Sequence, residues 1–129
     1  MTALLSILLL LAPAARPGYL GFSFTMHSGA GSQWLIVRVV VPDGPAAKAG
    51  LVPMDTVTAI DGKLLRFRDD LELLDFLATI RPRQHLRLSV IHKQQKTARI
   101  IQAGVMTDEA YERSLINRQM ATRRRDVRQ

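Results

Sequence analysis

Between residues 18 and 102 the apolar residues fall in short runs that suit β-strands, and these runs are cut by turn residues. Phe22 to Met26 alternates apolar and polar side chains, the pattern of a half-buried strand. Trp34 to Val41 is β-branched and nearly continuous, so it reads as a strand buried on much of both faces. Thr56 to Ile60, His85 to His92 and Thr97 to Gln102 read as further strands, with Leu86, Leu88 and Val90 sharing one face. Ser28 to Ser32, Pro42-Asp43-Gly44-Pro45 and Asp61-Gly62 carry turn chemistry.

Two helical stretches interrupt this pattern. Ala46 to Ala49 makes one short turn that Gly50 is placed to end. Asp69 begins a longer helix, and Asp69 with Glu72 has the spacing of a reciprocal cap. Leu73, Leu77 and Ile80 fall at i, i+4 and i+7, so one face is apolar, and Pro82 closes the helix. Thr107 is placed to cap a final helix whose first turn holds Asp108 and Glu109, the sign that suits a helix N-terminus. The expectation is a mainly β (α+β) fold of five to six short strands with two helices. It forms a small, partly open barrel or sandwich, followed by a C-terminal helical tail. The expected units are an apolar segment at 1–15, one domain at 16–106 and a basic tail at 107–129.

Composition narrows the chemistry. There is no Cys, which excludes a disulfide scaffold, a thiolate metal site and thiol catalysis. The net charge is +7, and the tail ends in the cluster Arg123, Arg124 and Arg125. Three readings of that tail stand side by side. It is a solvated helix with a disordered end, or it binds an anionic membrane or nucleic acid, or it packs over the domain. Tyr111, Leu115 and Arg118 share a face, so the first turns are the part expected to dock while the Arg-rich end stays free.

Residues 1–15 carry no charged side chain, and Leu4 to Leu11 is an apolar run. It is too short to cross a bilayer as a helix, which needs about 20 residues. It matches the apolar region of a secretory signal, with Ala12-Pro13-Ala14 as a small-x-small cleavage site, although no Lys or Arg precedes it. The expectation is export to the periplasm or the exterior. The other reading is a first core strand or a start set inside a longer gene.

Three segments, in order, resemble the PDZ domain family over roughly residues 18 to 102. They are Gly18-Tyr19-Leu20-Gly21-Phe22; Gly44-Pro45-Ala46-Ala47-Lys48-Ala49-Gly50-Leu51 with Asp55 and Ile60-Asp61-Gly62; and the helix from Asp70-Leu71 to Ile80 followed by Leu86-Arg87-Leu88. The Tyr-Leu-Gly-Phe version is most similar to the PDZ domains of bacterial HtrA-type exported proteases. The sequence departs at Met54, where that family usually has Gly, and the departure bears on the turn at Pro53-Met54.

The resemblance implies a peptide-binding site. A peptide C-terminus is an anion that needs several converging donors, and backbone N–H groups in a sharp turn supply them without side-chain entropy cost. Gly21 permits such a turn. The groove then lies between the Phe22 to Met26 strand and the Asp70 to Ile80 helix, and an incoming peptide adds to the strand's open edge. The site residues expected are Tyr19, Leu20, Gly21, Phe22, Ser23, Phe24, Asp70, Leu74 and Leu77. By resemblance Leu74 and Leu77 line the terminal pocket, and Asp70 sits near the ligand's third residue from the end. Asp70 is equally a helix-capping charge, and the leucines are equally core residues.

His27, His85 and His92 share no metal-ligand spacing and read as satisfied strand or surface histidines. No Gly-x-Ser-x-Gly elbow is present, and no carboxylate is placed to orient a base. The expected function is therefore non-catalytic, with no metal, cofactor or small-molecule substrate. The module captures hydrophobic C-termini or extended segments of envelope proteins or of a protease. The alternatives are a basic scaffold on an anionic surface, or a piece of a longer protease.

Overall fold

The computed structural model describes residues 16–128. The apolar segment at 1–15, with its expected signal and cleavage site, lies outside the described residues. The elements are β1 (Gly18–Tyr19), β2 (Phe22–Gly29), β3 (Ser32–Val40), α1 (Pro45–Lys48), β4 (Thr56–Ile60), β5 (Lys63–Leu64), α2 (Asp70–Leu77), β6 (His85–His92), β7 (Gln95–Gln102), β8 (Gly104–Val105) and α3 (Asp108–Arg128). The fold is mainly β with three helices, and its sheets stay open. One sheet runs β2-β3-β4-β6-β7 with β5 on β4, and a separate ribbon pairs β1 with β8. All pairings are antiparallel.

The hairpins follow from their turns. Asp61 and Gly62 both take positive φ (51° and 79°), the conformation whose twist matches a two-residue hairpin, and they join β4 to β5. Ala30-Gly31 does the same between β2 and β3. Lys93-Gln94 closes β6 on β7 in the same way, so β7 begins at Gln95, two residues before the alternation predicts. The short β1, β5 and β8 are not visible in the hydrophobic pattern.

The core is aliphatic. Leu35, Val37, Val57, Leu86, Leu88, Val90 and Ile101 come from the sheet, and Leu73 and Ile80 come from α2 and its end. The N-terminus of α2 is capped as expected, with the Asp69 carboxylate accepting from Glu72 N–H at 3.0 Å. The helix ends at Leu77, three residues before Ile80, although Ile80 stays in the core. The segment before α2 is pinned to β3 by one side chain. The Gln33 amide donates to the Phe67 carbonyl at 2.5 Å and accepts from Phe67 N–H at 2.7 Å. Phe67 then packs on Phe76 of α2, with ring centroids 5.6 Å apart.

Candidate functional site

The site starts at Gly18, whose N–H donates to the Ile80 carbonyl at 2.7 Å. That bond ties the chain entering β2 to the end of α2. The approach is close enough to demand glycine, because a Cβ there would stand 2.7 Å from both Ala103 Cβ and the Arg81 carbonyl oxygen. Leu20 and Gly21 then turn the chain into β2, and Gly21 takes φ +79°.

The turn's carbonyls point into the domain. Leu20 C=O accepts from Ala46 N–H at 3.0 Å, and Gly21 C=O accepts from Val41 N–H at 2.9 Å. Both peptide units are trans, and in a trans unit the N–H points opposite to the C=O. The N–H groups of Gly21 and Phe22 therefore point away from α1 and β3, with Gly21 itself buried and Phe22 half-buried. Successive amides around a left-handed residue form an anion-binding nest.

β2 is an edge strand, paired on one side with β3. Its pairing shifts between Ser23 and Phe24, which face Val39 and Val37 and leave Arg38 as the extra residue of β3. Such a bulge bends and twists the pair locally. Phe22, Phe24 and Met26 are half-buried against the core, and Ser23 and Thr25 between them are exposed. Leu20 joins the half-buried row, and so do Phe76 and Leu77 from α2. β2 and α2 thus each carry half-buried apolar side chains that pack on the same core.

The expected site residues divide clearly. Leu20, Phe22, Phe24 and Leu77 pack on the shared core, while Tyr19 is half-buried in β1. Ser23 is on the exposed face of β2. Leu74 is half-buried one turn before Leu77. Asp70 is engaged, with its carboxylate 3.0 Å from the Arg124 guanidinium of α3.

That contact belongs to a set the sequence reading missed. α3 is a continuous helix to Arg128 whose Arg-rich end lies on α2, so the expectation of a free end is corrected. Arg118 pairs with Asp75, Arg124 with Asp70, and Arg125 with Asp69 through two bonds of 2.6 Å. Ala121, 3% exposed, lets the two helices approach. Leu115, Ile116, Met120 and Val127 all remain exposed, so charge rather than apolar packing docks this helix. The Arg125 guanidinium, with Glu72 N–H second, holds the Asp69 carboxyl well below the usual carboxylate range. At the other end Arg16 lies over the Tyr111 ring at 4.8 Å and pairs with Asp108 at 2.6 Å. The only hint in the sequence is spacing: acids at 69 and 75 are six residues apart and bases at 118 and 125 seven, close intervals for antiparallel helices.

Two of the three histidines have partners. His27 stacks on Trp34 at 6.1 Å and meets Thr25 Oγ1 at 2.9 Å. His92 Nδ1 meets the buried Asp55 carboxylate at 2.5 Å. Among the described residues no group of three or more His, Cys, Asp or Glu could hold a metal ion, and no helix is long and apolar enough to cross a membrane.

The fold is a small α+β domain whose β2 is an edge strand. The sequence matches the PDZ domain family over residues 18–101, and the chain belongs to that family. PDZ domains bind peptides or C-termini of partner proteins. The structure is similar to a variant of the HtrA-type protease AlgW with a decapeptide, at 24% identity over 80% of this chain and 33% of that one, with a TM-score of 0.62. It is similar to AlgW with a tripeptide at 25% identity, 72% and 33% coverage, and a TM-score of 0.60. It is also similar to a serine endoprotease from Yersinia pestis at 25% identity, 82% and 36% coverage, and a TM-score of 0.57. The chain spans about a third of the length of these proteins. No curated protein sequence matches it.

Proposed function

We propose that this PDZ domain captures hydrophobic C-termini, or extended segments, of partner proteins by adding them as a strand to the free edge of β2. The observation that carries the reading is that the N–H groups of Gly21 and Phe22 point away from α1 and β3 at the start of the edge strand β2, beside the half-buried Leu20, Phe22 and Phe24. The terminal carboxylate takes these donors, and the last side chain enters a pocket lined by Leu20, Phe22, Phe24, Leu74 and Leu77. Backbone bonds along β2 supply affinity that is indifferent to sequence, and the pocket supplies selection. Affinities of this kind lie near the micromolar range, about −8 kcal/mol. The peptides in the AlgW structures support this reading.

In this proposal the domain acts without catalysis or cofactor, and residues 1–15 export it to meet envelope proteins or a protease. A second reading, a piece of a longer PDZ-containing protease, is favoured by the third of the relatives' length that the chain spans. The anionic-surface reading loses ground, because Arg124 and Arg125 are occupied by Asp70 and Asp69.

The test uses fluorescent peptides ending in Val, Leu, Phe, Ala or Asp, each with a free and an amidated terminus, at low and high salt. Preference for a free apolar terminus, little changed by salt, is the expected result. Equal binding of both forms, lost at high salt, refutes the groove.

A further inference from the structure

We infer that Arg124 is a specificity-determining residue of the groove, supplied by the tail helix and acting on the ligand's third residue from the end. The inference rests on the peptide-binding reading above.

Asp70 opens α2 one turn before Leu74 and two before Leu77, on the same helix face. Four residues of helix rise about 6 Å, which is the length of roughly two residues of an extended peptide. A terminal side chain at Leu74 thus places the third residue from the end beside Asp70. A lone carboxylate at that point selects a Lys or Arg in the ligand. Here the carboxylate is not alone, because the Arg124 guanidinium stands 3.0 Å away, with Asp70 46% and Arg124 48% exposed. The two charges cancel locally, and a guanidinium keeps further N–H donors for a ligand acceptor.

The placement of Arg124 is fixed on both sides. Arg118 holds Asp75, the bidentate Arg125 holds Asp69, and Ala121 is buried between them. Removing Arg124 therefore leaves the helix tethered and uncovers a single charge in the groove wall. The tail in this way sets a preference that the domain on its own would not have: neutral and acidic residues are accepted, and basic ones gain nothing.

The experiment uses the full chain and two free-terminus peptides that differ only in Lys or Asp at the third residue from the end, with the amidated pair as control. The wild type should bind both within about two-fold. Arg124→Ala should favour the Lys peptide by about two- to five-fold more than wild type does, the range of an exposed ion pair. Asp70→Ala should shift the ratio the same amount toward Asp, and the double variant should return it near the wild-type value. Arg118→Ala, which removes a tether without touching Asp70, should leave the ratio unmoved. Circular dichroism checks that each variant keeps its helices. An unmoved ratio in Arg124→Ala, with discrimination between free and amidated termini intact, overturns the inference and leaves the groove standing. Loss of that discrimination in the wild type itself overturns both.

Discussion

Gly21→Ala separates the cost of a backbone conformation from the cost to binding. At φ +79° an L-residue costs about 1–2 kcal/mol relative to glycine. Stiffening the unfolded chain returns about 0.4–1 kcal/mol of that. The new Cβ also stands 3.1 Å from Pro45 Cδ, on a ring held at the start of α1, so crowding adds about 1 kcal/mol. The total is about 2 kcal/mol, too little to unfold a domain of ordinary stability. Gly62→Ala is the matched control, since Gly62 has the same φ of +79° and nothing within 4 Å of its added Cβ. It should cost about 1 kcal/mol or less by the same reasoning. Urea denaturation followed by the fluorescence of Trp34 measures both. In peptide binding the two should part. A turn shifted at Gly21 misdirects at least one N–H from the ligand carboxylate, and a charge-assisted bond is worth about 1.5–3 kcal/mol, or roughly 10- to 150-fold in Kd. Gly62→Ala should bind as wild type does. A folded Gly21→Ala variant with unchanged affinity refutes the argument from the turn.

Three further perturbations test the physics around the site. Met54 sits at φ +75°, 67% exposed, in a conformation that disfavours a side chain, so Met54→Gly should raise stability by about 0.5–1 kcal/mol in urea; a loss would refute the strain argument. Asp55 is 1% exposed and accepts from Val52 N–H at 3.1 Å while facing His92, so Asp55→Ala should cost about 1–3 kcal/mol in the same assay. Asp69→Asn keeps a capping side chain and loses the ion pair to Arg125. Because the folded carboxyl lies below its ordinary value of 3.8, its contribution is complete above that pH and is lost as pH falls further. The stability gap between wild type and Asp69→Asn should hold from pH 7 to pH 5 and close only in strong acid; a gap already closing near pH 6 would contradict this.

Much of the fold is legible in the chain because it is written in local periods. The alternation of His85 to His92 marks β6 with its full length, and Asp69 with Glu72 marks the cap of α2. What escapes is written at long range. β1 and β8 are two residues each and exist because Gly18 meets Val105 across the domain. The left-handed turn at Met54 is concealed by a residue that seldom adopts it, held by Met54 N–H on the Val37 carbonyl at 2.8 Å. Leu20, Phe22, Phe24 and Leu77 were legible as residues that pack on the core. The docked tail was not, because ion pairs between residues 43 to 56 apart leave no period to read. Asp70, legible only as a capping charge or a residue near the ligand, is paired with Arg124.

The central claim is that the open amides of the turn bind a peptide's carboxylate. Its most direct test is an amide chemical-shift titration of the nitrogen-15-labelled protein with a free-terminus apolar peptide. The account predicts the largest shifts at the N–H groups of Gly21 and Phe22, smaller ones along β2 to Met26, and their loss when the peptide is amidated. Shifts confined to α3 around Arg123, the same with either form of the peptide, would contradict it.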